Sequence, residues 1–165
     1  MPTESRAPLT GSHGTQKLRR GPTLGRFART AAVATLTATA LNVGCYILAR
    51  AVGATLLLDP GVGPSNHLVT GLDVAWKTFV TVAAGALVVW LANRRSRRWA
   101  TGVIVLGGVF AALSIPLPVL SAHDPLTAAM LFALHTVAGA AFVLIGVRTV
   151  AGAASPEEGR WWPLV

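Results

Sequence analysis

Between Asn93 and Arg98 the chain reads Asn-Arg-Arg-Ser-Arg-Arg, four arginines in six residues, with one long apolar run ending at Ala92 and another beginning at Trp99. Guanidinium groups are costly at the bilayer centre. The flanking runs, at about 20 residues, are long enough for a helix to cross a ~30 Å hydrocarbon core. The segment is therefore a basic turn between two membrane-spanning helices, and it divides the hydrophobic part of the chain into two hairpins. Composition agrees: 12% of the residues are charged and 53% hydrophobic, whereas a soluble domain carries roughly 25% charged residues.

Taken in order, the 165 residues read as one all-α, four-transmembrane-helix bundle with tails. Residues 1–29 are polar and broken by Pro and Gly, and their composition predicts a disordered basic tail. The membrane domain, residues 30–148, is expected to hold spans over about 30–50, 73–92, 99–120 and 126–147. The first is too long for a signal-peptide core and is followed by three more spans, so it is expected to be retained. Ala51 to Leu58 is too short to cross, and Asp59 to Gly71 reads as a loop from its Pro, Gly, Ser and Asn content. Asp73 and Lys77 stand at i and i+4, a spacing that suits an ion pair. Pro116 and Pro118 are expected to kink or finish the third helix, and Asp124-Pro125 reads as an N-cap followed by a first-turn proline. Gly102, Gly107 and Gly108 suit close helix contact, and Gly108 with Ala112 forms a small-xxx-small pair. Gly85 and Gly139 are further contact positions. Residues 149–165 form a short tail whose Trp161 and Trp162 suit the headgroup level.

Four spans put both tails and the arginine turn on one side. That side holds Arg6, Lys17, Arg19, Arg20, Arg26, Arg29, Arg94, Arg95, Arg97, Arg98, Arg148 and Arg160, while the other holds Arg50 and Lys77. Twelve against two is a strong asymmetry, and the positive-inside rule makes the crowded side cytoplasmic. Arg94, Arg95, Arg97 and Arg98 are the local determinants. The same placement explains the net charge of +8 by orientation in a plasma membrane and disfavours nucleic acid as a partner.

His135 lies near the middle of the fourth span, where an ionisable group by default faces the bundle interior. Counted from the turn side, Ala31 to Asn42 is eleven rises and Val147 back to His135 is twelve, so both residues sit at roughly 17 Å depth. That geometry allows an Asn42–His135 hydrogen bond, with a threonine as the other partner for the histidine. Asn42, Tyr46 and Arg50 recur at i, i+4 and i+8 as a polar stripe, either packed against other spans with Arg50 snorkelling outward, or forming a wet vestibule in which Arg50 meets Asp59, Asp73 or an external anion. His135, Asn42, Tyr46 and Arg50 are thus the candidate intramembrane polar site. The structural reading is a histidine that registers the bundle. The functional reading is a proton relay or ligand contact.

The lone Cys45 allows no internal disulfide, no CxxC pair and no thiolate cluster. No mid-span carboxylate, Ser/His/Asp set, HExxH or phosphate loop is present. His67, His123 and the outer aspartates lack a recognisable metal-ligand spacing. No cofactor or metal is expected, and an enzyme is disfavoured.

The segments LANRRSRRW (Leu91 to Trp99), LSIPLP (Leu113 to Pro118) and MLFALHTVAGAAFVLIGV (Met130 to Val147) resemble a family of small actinobacterial membrane proteins catalogued as a domain of unknown function. The resemblance covers roughly Arg29 to Thr149 and departs at Thr136 and Gly146, where Leu and Pro are expected. It implies four helices in the plasma membrane and adds no activity. The function expected is that of a non-enzymatic integral membrane protein acting through helix packing and contacts with lipid, a second copy or another membrane protein. The alternative is a small transporter or proton-linked carrier using His135 and Asn42. A water-accessible cavity reaching His135 favours the alternative, and a dry core favours packing.

Overall fold

The computed structural model describes residues 24–60 and 65–152. Most of the N-terminal tail, and residues 153–165 with Trp161 and Trp162, lie outside the described residues. Five helices make four rods: α1 (Leu24–Ala51), α2 (Gly71–Arg95), α3 (Arg97–Ser114) continued by α4 (Pro116–Leu120), and α5 (Pro125–Gly152). All four rods are long and apolar enough to cross a membrane. Of the described residues 83% are helical, so one short hairpin, β1 (Leu57–Leu58) with β2 (His67–Leu68), does not alter the class.

Helix α1 starts at Leu24, so the stretch Leu24 to Arg29, read from composition as disordered tail, is helical. Tertiary contact accounts for the extra turns: the Phe27 ring stacks on Trp90 at 6.0 Å, and Arg94 lies 5.0 Å over the same indole. The basic turn is shorter than its sequence suggests. Ser96 alone breaks the helix: its backbone N–H donates to the Ala92 carbonyl, ending α2, and its hydroxyl accepts from Trp99 N at 3.2 Å, starting α3. Arg94, Arg95, Arg97 and Arg98 flank this corner and are exposed. The first two favour the negative end of the α2 dipole.

Pro116 kinks the third rod without stopping it. The Ala112 carbonyl, deprived of a Pro116 N–H, accepts from Ile115 N at 3.3 Å, and Ile115 keeps helical dihedrals. At the opposite end of the bundle from the Ser96 corner, the two loops are knitted together. Leu58 bridges Ala122, Asp59 N donates to the Ser121 carbonyl, and His123 N donates to the Leu57 carbonyl. Asp124 caps α5 by accepting from Thr127 N at 2.9 Å and also accepts from the N–H and hydroxyl of Thr55. Past the end of α1 at Ala51, the chain up to Leu58 forms a strap across the bundle end. Its Leu56 is buried at φ 59°, an uncommon conformation for a branched side chain. Two hydrogen bonds hold it there, from its N–H to Thr127 Oγ1 and from Val69 N to its carbonyl.

The core falls into two parts. Toward the loop end, Tyr46, Leu56, Val69, Val74, Met130 and Leu131 pack together. Toward the corner, Val82, Ala86 and Ile145 are buried against Phe27, Ala31 and Ala141. Large apolar side chains such as Leu106, Phe110, Leu113 and Leu120 point outward and are more than 70% exposed, an arrangement that suits lipid as the solvent.

Candidate functional site

Asn42 is almost fully buried in the bundle interior, at 1% exposure. Its Nδ2 donates to Thr78 Oγ1 on α2 at 3.0 Å and to the Leu134 carbonyl on α5 at 3.1 Å. One side chain therefore ties three rods at mid-depth. The Leu134 carbonyl can only accept, which sets the amide orientation, and Asn42 Oδ1 is left without a hydrogen-bond partner among the described residues.

The Asn42–His135 bond that equal depth allows is not formed. His135 Nδ1 donates instead to the Leu131 carbonyl of its own helix at 2.8 Å. Equal depth concerns position along the helix axis only. Azimuth decides the contact, and residues 134 and 135 differ by about 100° around the helix, so α1 meets the Leu134 side. Tyr46 is buried and accepts from Arg50 Nη1 at 3.4 Å, with its ring against Gly71. Arg50 is exposed and meets neither Asp59 nor Asp73. Those carboxylates pair with His123 at 2.9 Å and Lys77 at 3.3 Å.

Beside Asn42 a cavity of about 530 Å³ opens between α2 and α5. Thr78, Thr81, Lys77 and Asp73 line it from α2, and Leu131, Leu134, His135 and Ala138 from α5. Leu58, Pro60, His67 and Val69 form its roof, and Pro118 stands where α4 bends away. Helix α3 contributes nothing to it. Below, toward the corner, the bundle is filled: the Phe142 ring lies between α2 and α3, and a Cβ added at Gly85 or Gly107 would come within 2.7 or 2.5 Å of it. Gly146 likewise admits Ile104, and Gly139 meets Ala111. Gly108 makes only ordinary contact, Gly102 faces open space and Ala112 is exposed, so the Gly108/Ala112 pair is not a packing seam within this bundle.

The roof is held by carboxylates. Asp124 stays well below the usual carboxylate range because Thr127 and Thr55 donate to it. Asp59 is lowered first by the Asn66 backbone N–H and then by His123. Among the described residues no three His, Cys, Asp or Glu side chains converge as a metal site.

Of the four residues named from the sequence, Asn42 and His135 line this cavity, Tyr46 and Arg50 do not, and Thr78 was not singled out. Thr78 was readable from spacing. The buried positions of α2, Val74, Thr78, Val82, Ala86 and Val89, and those of α1, Thr35, Ala38, Asn42, Tyr46 and Ala49, follow three- and four-residue steps.

The apolar rods, the arginine corner, the proline kink and the mid-span histidine all fall inside one matched region. The chain belongs to a family of unknown function, DUF6069, whose family model matches residues 22–152. The match takes in the whole bundle, including the first turns of α1. No curated protein and no solved structure matches the sequence. Membership in DUF6069 assigns no chemistry to the cavity.

Proposed function

We propose that the chain is a non-enzymatic multi-pass protein of the bacterial plasma membrane, with tails and arginine corner in the cytoplasm, that receives a small solute from the outer side in the vestibule beside Asn42. The twelve-to-two distribution of basic residues supports this orientation. The observation that carries the binding reading is the Asn42 amide, buried with an unpartnered oxygen against a cavity that His135 and Thr78 also line. An unsatisfied buried acceptor costs about 1–3 kcal/mol, which a donor arriving from the vestibule offsets. Mostly apolar walls with a few convergent polar groups are the usual make-up of a small-molecule pocket, and they suit a compact, weakly polar molecule bearing a hydroxyl or amine hydrogen.

The filled corner half supports a blind pocket over a passage. A carrier working on the same site needs Phe142 to leave its place between Gly85 and Gly107.

Cysteine accessibility tests the reading. In a Cys45→Ser background, Thr81→Cys is expected to react with a membrane-impermeant thiosulfonate added outside intact cells, and Ala86→Cys is expected to stay unreactive. Labelling of Thr81→Cys only after permeabilisation would reverse the orientation, and no labelling in either condition would remove the vestibule. A thermal-shift screen of hydroxyl- and amine-bearing solutes on the full chain then looks for binders, whose shift must disappear in Thr78→Val.

A further inference from the structure

A second cavity, of about 580 Å³, runs along the bundle surface between α1 and α5. Its floor is made of small side chains, Ala34, Ala38 and Ala141, and its rims of Val33, Leu41 and Leu144. One end is closed by Arg29 of α1 and Arg148 of α5. Both are exposed, and among the described residues neither has an acidic partner. From Arg29 to Leu41 the groove covers twelve rises, about 18 Å. That is close to one leaflet of a ~30 Å core. The two arginines stand at the tail-side ends of antiparallel rods, where headgroups lie.

We propose that this groove is a binding site for one anionic phospholipid of the leaflet on the tails' side, with its phosphate between Arg29 and Arg148 and an acyl chain on the alanine floor. Two guanidiniums at one end of an apolar channel as long as a leaflet match a molecule with an anionic head and a hydrocarbon tail. A second copy of the chain fits worse. Copies share one orientation in the membrane, so a two-fold contact across this groove gathers four arginines at one point, and like charges repel strongly near the low-dielectric core. The assignment depends on the rods spanning the bilayer and not on the vestibule or on which side is cytoplasmic.

The test is native mass spectrometry of the full chain released from nanodiscs of one part phosphatidylglycerol to three parts phosphatidylethanolamine. Retained lipid is expected to be enriched in phosphatidylglycerol. Enrichment is expected to fall about five-fold with either Arg29→Gln or Arg148→Gln and to persist in Arg97→Gln/Arg98→Gln, which removes two charges at the same membrane face outside the groove. Ala140→Phe, at an exposed position on the groove wall, is expected to expel the lipid with both arginines intact. Equal loss in the Arg97/Arg98 control would reduce the effect to general surface charge and overturn the site. Retention of phosphatidylglycerol in the Arg29→Gln/Arg148→Gln double variant would do the same. A dimer that Ala140→Phe dissociates would reassign the groove to a contact between copies.

Discussion

Asn42 shows how one residue organises a membrane interior. In hydrocarbon a side-chain amide finds partners on neighbouring helices or none, and here its two donors reach α2 and α5 while its acceptor stays open. Asn42→Ala frees the Thr78 hydroxyl and the Leu134 carbonyl together, so a loss of about 1–2 kcal/mol is expected, read as reduced unfolding free energy in bicelles. Thr78→Val removes one acceptor only and is expected to cost less than half as much. His135 behaves differently: its ring is held by its own helix through Leu131, so His135→Leu is expected to leave bundle stability within about 0.5 kcal/mol while changing the vestibule wall. A collapse of the fold in His135→Leu would show that the histidine registers the helices after all.

Between elements, glycine spacing did not decide which positions matter. Gly102, Gly107 and Gly108 are alike in sequence context, yet only Gly107 faces an aromatic ring at a distance no Cβ tolerates. The arriving side chain, Phe142, comes from a helix more than 30 residues away in sequence, so nothing near the glycines marks it. Gly107→Ala is expected to cost about 1–3 kcal/mol as the ring is driven off its rotamer, and Phe142→Leu in the same chain is expected to restore part of that loss. Gly102→Ala, with nothing within 4 Å, is expected to change stability by less than about 0.5 kcal/mol. Thermal unfolding of the three variants in one detergent separates these outcomes. Gly146 belongs with Gly107: it was noted as a departure from the family pattern, and Ile104 explains its small size.

On the scale of the whole molecule, the cap joins the two hairpins at the loop end and roofs the vestibule. Asp124 and Asp59 both have folded-state pKa values below the ordinary 3.8. A lowered carboxylate contributes stability that is present above its unfolded value and is lost as pH falls through its folded value. The cap is therefore expected to hold at neutral pH and to loosen progressively below about pH 4. Hydrogen exchange of the Thr55 and Asn66 amides follows this directly, with faster exchange expected at about pH 3 than the intrinsic acid rate accounts for. Asp124→Ala is expected to show fast exchange already at neutral pH and a flatter pH dependence. An unchanged protection pattern in that variant would mean that the Leu58–Ala122 and Asp59–Ser121 backbone contacts hold the cap unaided.

The helices, their number and the charge asymmetry across them were legible in the sequence, because hydrocarbon admits few backbone solutions and a span needs a fixed length of apolar chain. One cap was legible too, since Asp124 acts on a residue three positions away. What the tertiary structure decided is everything that depends on azimuth and on distant neighbours: that Asn42 meets Thr78 and not His135, that Phe142 takes the space left by Gly85 and Gly107, and that the Ala51 to Leu58 strap folds over the bundle end. Depth follows from counting residues along an axis. Rotation about that axis is set by the sum of all side-chain contacts, and no local stretch of sequence contains that sum.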